Sequence, residues 1–215
     1  MYELRKVGSK TYYMECPSKV GFYLLDDNNV CVIDTGSSRD YGRIILKTIK
    51  EKGWNLKLII NTHFHADHIG GNNYLEKHTN CDAYVSSLEN VITQNPIISP
   101  MMLYGANPLE ELKSKFVIAE KSNTKDIEEI KDQFEIIELP GHTTNQIGIK
   151  TNDGVVFIGD ALVGKQIIEK YTITYIYDVG KYLETLDKLE TLEGNLFIAS
   201  HAEAVENLDD LIKLN

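Results

Sequence analysis

Three of the chain's six histidines stand in one short run, Thr62-His63-Phe64-His65-Ala66-Asp67-His68-Ile69-Gly70-Gly71. A chance H-x-H-x-D-H is expected in roughly 3 in 10⁴ chains of this composition. A lone histidine is usually a hydrogen-bonded core residue, but three with an aspartate in six positions ask for a cation. In an extended segment His63 and His65 point the same way, so both imidazoles can reach one ion. Asp67 and His68 follow where the chain turns toward Gly70-Gly71, and can reach a second ion nearby.

Two more histidines and one more aspartate occupy similar places. His142 follows the apolar run Phe134–Leu139 within Pro140-Gly141-His142-Thr143, and His201 follows Leu196–Ser200. Asp160 ends the run Val155–Gly159. Every histidine except His78 therefore lies at the carboxyl end of a predicted strand, where α/β proteins place their sites.

The surrounding pattern supplies the elements that hold these residues. Thr11–Glu15, Val20–Leu25 and Val30–Asp34 read as strands, with Asp26-Asp27-Asn28-Asn29 as a hairpin turn. Ser37 or Ser38 caps a helix with apolar positions Tyr41, Ile44, Ile45, Thr48 and Ile49, and Gly53 ends it. Leu56–Asn61 is a continuous apolar run, a strand buried on both faces that delivers the histidine loop. The second half repeats the scheme: Gln146–Thr151 and Val155–Gly159 flank the turn Asn152-Asp153-Gly154, a helical stripe runs from Val179 to Leu189, and Asn207–Leu214 closes the chain. In both halves a hairpin's second strand ends in an aspartate beside glycine, Asp34-Thr35-Gly36 and Gly159-Asp160, which predicts one domain over 1–215 made of two similar α/β halves.

Gln94–Asn107 combines Pro96, Pro100 and Gly105, with Pro108 just beyond, and the apolar Ile97, Ile98, Met101, Met102, Leu103 and Tyr104. It reads either as a loop plugged into the core or, over 94–108, as a lid above a site.

Composition narrows the partners. A net charge of −10 repels phosphate backbones, so nucleic acid is not expected. With 42% hydrophobic and 25% charged residues the chain is an ordinary globule, and no apolar run is long enough to span a bilayer. Cys16, Cys31 and Cys81 form no CxxC pair and no disulfide framework, which with the absence of an export signal at the start predicts a cytoplasmic protein. A homodimer is compatible with the sequence.

These motifs, in this order, resemble the metallo-β-lactamase superfamily of binuclear metallohydrolases over nearly the whole chain. The matching elements are His63-x-His65-x-Asp67-His68, Pro140-Gly141-His142-Thr143, Gly159-Asp160, His201 and Asp34 in Ile33-Asp34-Thr35-Gly36; Ala202 stands where glycine is common. The resemblance implies an α/β fold, a four-layer αββα sandwich of two similar halves. It implies that His63, His65 and His142 hold one ion, that Asp67, His68 and His201 hold another, and that Asp160 bridges them. Asp34 and Thr62 would orient the imidazoles from behind. Two divalent ions are implied; a ligand set of nitrogen and oxygen without cysteine favours zinc, and iron or manganese also accept it.

The implied reaction is hydrolysis of a small-molecule thioester, ester or lactone, with water activated by metal and Asp67 as its proton acceptor. A mononuclear iron persulfide dioxygenase and a β-lactam hydrolase are the alternatives. Glyoxalase-II-type enzymes carry an extra helical region after the last histidine, for which Asn215 leaves no room, so glutathione itself is not expected. Met101, Met102, Tyr104 and Lys165 are candidate substrate contacts, each with an equally simple structural reading.

Overall fold

The computed structural model describes residues 2–114 and 116–215. Its strands are β1 (Glu3–Lys6), β2 (Thr11–Glu15), β3 (Val20–Leu24), β4 (Asn29–Ile33), β5 (Asn55–Ile60), β6 (Asp82–Val85), β7 (Lys125–Asp126), β8 (Glu135–Glu138), β9 (Ile147–Lys150), β10 (Val155–Gly159) and β11 (Leu196–Ala199). Its helices are α1 (Arg39–Glu51), α2 (Ala66–Ile69), α3 (Asn72–His78), α4 (Ser87–Gln94), α5 (Ile98–Tyr104), α6 (Lys165–Tyr171), α7 (Val179–Glu190) and α8 (Asp209–Leu214). The chain divides into two compact units, Phe22–Glu129 and Met1–Gly21 with Ile130–Asn215.

The Phe22–Glu129 unit is built on strands in the order β3-β4-β5-β6-β7. From β4 to β7 neighbouring strands are parallel. Ile33, Ile60 and Tyr84 pair across β4, β5 and β6, so these strands end level with one another. Residues just beyond them, Asp34 and Asn61-Thr62, must then emerge side by side. In β5 the sides alternate at first, with Leu56 buried and Lys57 exposed, before Leu58, Ile59 and Ile60 are all buried. Helix α1 begins after Ser38 and buries Tyr41, Ile45 and Ile49 of the predicted stripe, with Leu46 added and Ile44 and Thr48 only half-buried.

The segment over 94–108 is not a loop throughout. Helix α5 occupies Ile98–Tyr104, and Pro100 is tolerated because it stands in the first turn, where its missing N–H costs no helical bond.

The second unit contains a four-stranded sheet in the order β11-β10-β9-β8. β10 pairs parallel with β11, whereas β9 runs antiparallel to both β10 and β8. β8, β10 and β11 therefore share one direction and present their carboxyl ends along one edge. Its core packs Leu139, Val156, Ile158, Leu162, Leu189 and Phe197.

The N-terminal hairpin β1-β2 packs with this unit, while in sheet order β1 and β2 precede β3. Asp153, in the β9-β10 turn, accepts the Lys10 N–H at 2.8 Å and the Thr11 hydroxyl, which ties the start of β2 to the second half. Tyr171 ends α6, and beyond it Ile173 and Tyr177 are exposed.

Candidate metal centre

In the Phe22–Glu129 unit, Asp34 organises the histidine loop. Its Oδ1 accepts the Thr62 N–H at 2.8 Å and its Oδ2 accepts both the Thr62 hydroxyl and His68 Nδ1–H, each at 2.8 Å. The Thr62 hydroxyl proton is thus committed to Asp34, so at 3.0 Å its oxygen accepts from His63 Nδ1. Both imidazoles therefore carry their proton on Nδ1 and keep the lone pair on Nε2, as metal-binding histidines do. His63 Nε2 then stands 3.1 Å from His65 Nδ1, and His68 Nε2 stands 3.5 Å from Asp67 Oδ2. Two ligands of one tetrahedral zinc are roughly 3.3–3.6 Å apart, so these pairs have about the separation a shared ion needs.

The loop that carries them is anchored by buried polar groups. The Phe64 N–H, between the first two histidines, donates to Glu89 Oε2 at 2.9 Å, and Glu89 is fully buried at the start of α4. The carbonyl of His68 accepts from Thr35 N–H at 2.7 Å and from Asn61 Nδ2 at 3.1 Å. Asn72 Nδ2 donates to Asn61 Oδ1, and the Thr35 hydroxyl donates to Asn72 Oδ1, both at 2.7 Å. Gly70 must be glycine here, because a Cβ would lie 2.4 Å from the Ser37 carbonyl carbon. Sequence reasoning missed Thr35, Asn61, Asn72 and Glu89. The available signal was a pair of asparagines bracketing the motif, one at the end of an apolar strand.

The second unit brings His142, Asp160 and His201 together along its sheet edge. Ser200 N–H donates to the Gly159 carbonyl at 2.9 Å, so Asp160 and His201 leave neighbouring parallel strands side by side. His142 Nδ1–H donates to the Tyr175 carbonyl and His201 Nδ1–H to the Pro17 carbonyl, at 2.9 and 2.8 Å. Both again present Nε2. The same oxygen, Asp160 Oδ2, lies 3.6 Å from His142 Nε2 and 3.4 Å from His201 Nε2. One carboxylate oxygen at ligand spacing from two imidazoles suits a bridging role. Gly141 makes the His142 turn possible: its φ of 128° is a glycine conformation, and a Cβ would lie 2.4 Å from the Tyr182 Cα.

The remaining sulfur and histidine groups stand apart from this chemistry. Among the described residues the three cysteines are free and buried. Burial pushes the Cys16 thiol up to about 12 and raises Cys31 and Cys81 as well, which keeps sulfur protonated and unlike a ligand. His78 is exposed, stacked on Tyr74 and bonded to its carbonyl.

Three of the candidate substrate contacts lie on α5 and one at the start of α6. Met101 and Tyr104 are exposed on α5 with Met102 half-buried between them. Lys165 is solvated and paired with Glu169 at 3.6 Å, and it lines, with His201, Cys16 and Lys19, a cavity of about 1060 Å³ in the second unit.

Comparison with known proteins fixes the class. The model of the metallo-beta-lactamase superfamily matches residues 15–201, and the chain belongs to that superfamily. The fold agrees. The metallo-beta-lactamase of Pontibacter korlensis aligns with a TM-score of 0.70 at 14% identity, over 99% of this chain and 96% of that one. A subclass B3 metallo-beta-lactamase from a soil metagenome library aligns at 0.68 and 18% identity, over 93% and 79%.

By sequence, the chain is 28% identical over 210 residues to a hydroxyacylglutathione hydrolase of Pelagibacter ubique, covering 89% of this chain and 76% of that protein. It is 32% identical over 170 residues to a probable metallo-hydrolase of Methanocaldococcus jannaschii, covering 77% and 68%. The match spans only 63% of the hydroxyacylglutathione hydrolase GloC of Haemophilus influenzae, at 26% identity over 138 residues and 64% of this chain. No helix among the described residues is long and apolar enough to cross a membrane.

Proposed function

We propose that the chain is a metal-dependent hydrolase of small acyl compounds, with thioesters, esters and lactones as its substrate class. The observation that carries this reading is the common protonation pattern of His63, His68, His142 and His201. Each has Nδ1 held by a protein acceptor, which leaves the lone pair on Nε2. Together with the superfamily match, this supports the ligand sets that the resemblance implies: His63, His65 and His142 for one ion, Asp67, His68 and His201 for a second, with Asp160 shared.

Divalent ions held there would supply an activated water near neutral pH and an electrophile for the carbonyl oxygen. The chain's own residues do the rest. Asp67 accepts the proton of the attacking water at its carboxylate and aims it, beside His68, which is buried and fixed by Asp34. Burial of His63, His68 and His142 keeps bulk water from competing for the ligand nitrogens. Zinc suits the donor set best. The relatives named for hydroxyacylglutathione hydrolysis favour an S-acyl bond over a phosphodiester.

The test is a panel of thioester, lactone, cephalosporin, phosphodiester and persulfide substrates given to metal-loaded protein. Turnover led by thioester or lactone supports the reading. Oxygen uptake on persulfide with one iron per chain would replace it with a dioxygenase, and turnover led by cephalosporin with a β-lactam hydrolase.

A further inference from the structure

The last candidate ligand, His201, is held by a segment nearly the whole chain length away. Three consecutive residues after β10's partner strand are each bonded from Pro17–Lys19. Lys19 N–H donates to the Ser200 carbonyl at 3.1 Å, the Pro17 carbonyl accepts from His201 Nδ1 at 2.8 Å, and Lys19 Nζ donates to the Ala202 carbonyl at 2.6 Å. On the opposite side Gly164 N–H donates to the His201 carbonyl at 3.1 Å.

Burial makes the lysine conspicuous. Its side chain is 8% exposed, and Glu15 Oε1 at 3.1 Å is its counter-charge. An ammonium is costly to bury, so its position is justified only if its bonds matter. The Lys19 ammonium reaches the backbone immediately after the ligand, not the substrate face of the ligand itself. His201 needs such help more than its partners do: its side chain is 19% exposed, whereas that of His68 is fully buried and that of His142 is 8% exposed. The buried imidazoles have packing as well as a hydrogen bond to fix them, and His201 relies more on its hydrogen bonds.

We propose that Lys19 is a positioning residue for His201, clamping the Ser200–Ala202 turn so that Nε2 faces Asp160, and that it thereby sets the affinity of one ion without touching it. The inference rests on the two-ion reading above and adds to it a residue outside every motif of the family resemblance. Loss of such an outer hydrogen bond commonly weakens metal binding 10–100-fold.

The experiment is stepwise zinc binding by chelator competition, with the cobalt-substituted ligand-field spectrum as a second readout, on full-length wild type, Lys19→Met, Lys19→Arg and His201→Ala. Lys19→Met is expected to weaken one step about 10–100-fold, leave the other unchanged and shift the cobalt band of the weakened site. Lys19→Arg, which keeps a buried cation able to donate to the Ala202 carbonyl, is expected to recover most of the loss. His201→Ala should abolish that same step. Should Lys19→Met not fold, Lys19→Gln, neutral but still a donor, reads the same step, with a partial loss expected. If His201→Ala removes a step and neither neutral Lys19 variant changes it, the clamp is wrong while the two-ion reading stands. If His201→Ala leaves both steps intact, the two-ion reading fails and the clamp with it.

Discussion

His68 Nδ1 donates to Asp34 Oδ2 at 2.8 Å, while Asp34 itself holds a left-handed backbone with φ of 58°. Aspartate tolerates that conformation better than most side chains, but it is still a strained one. The strain is sustained because the same carboxylate serves Thr62 twice, and through Thr62 reaches His63. One residue at the end of β4 thus fixes the tautomer of two imidazoles at the end of β5.

Asp34→Asn tests this arrangement, since asparagine also accepts the left-handed conformation but offers only one acceptor atom. The expected outcome is a 10–100-fold loss of metal affinity with little change in fold, measured by chelator competition and circular dichroism. Unchanged affinity would show that the imidazoles do not depend on Asp34.

Asp67→Ala removes the proposed proton acceptor. In metal-replete protein, kcat on the best thioester or lactone is expected to fall about 100-fold or more, with KM altered far less. Equal turnover in the variant would remove Asp67 from the mechanism.

What could be read from the sequence followed from periodicity and spacing. The H-x-H-x-D-H run, the strand-end placement of His142, Asp160 and His201, and Tyr41, Ile45 and Ile49 of the α1 stripe are local patterns, and the structure has them in those places. What escaped was non-local. The start of β2 is tied to the β9-β10 turn because Asp153 accepts from Lys10 and Thr11, a pairing across 143 and 142 residues that no local pattern encodes. Helix α5 was hidden because proline reads as a breaker unless its place in the first turn is known. Glu89 was invisible because a glutamate on a short helix looks solvated until the Phe64 amide is found against it.

Glu89→Ala should be costly for stability. It empties a fully buried site and leaves the Phe64 N–H without this acceptor, a loss of about 2–4 kcal/mol in urea unfolding of the apoprotein. Glu89→Gln keeps an oxygen facing the amide and is expected to cost less. Equal unfolding midpoints for wild type and Glu89→Ala would contradict the anchoring role.

Asp153 gives a pH signature. Burial alone would raise its pKa, but hydrogen bonds from Thr11, Thr151 and the Lys10 N–H outweigh it and hold the carboxyl below its ordinary range. As pH falls, the unfolded chain takes up the proton first, at about 3.9, so the contribution is full above that value and is lost through the lower folded pKa. Asp153→Asn should therefore lower the thermal midpoint at pH 7, and the gap from wild type should narrow below about pH 3.9. A gap independent of pH would sink this assignment.

The central claim is that two clusters of imidazole and carboxylate hold a pair of metal ions. Elemental analysis of freshly purified protein, and of apoprotein titrated with zinc, addresses it most directly. The account predicts two equivalents per chain, dropping to one when His201 is replaced by alanine. Protein that stays metal-free in excess zinc, with its fold intact, would contradict it.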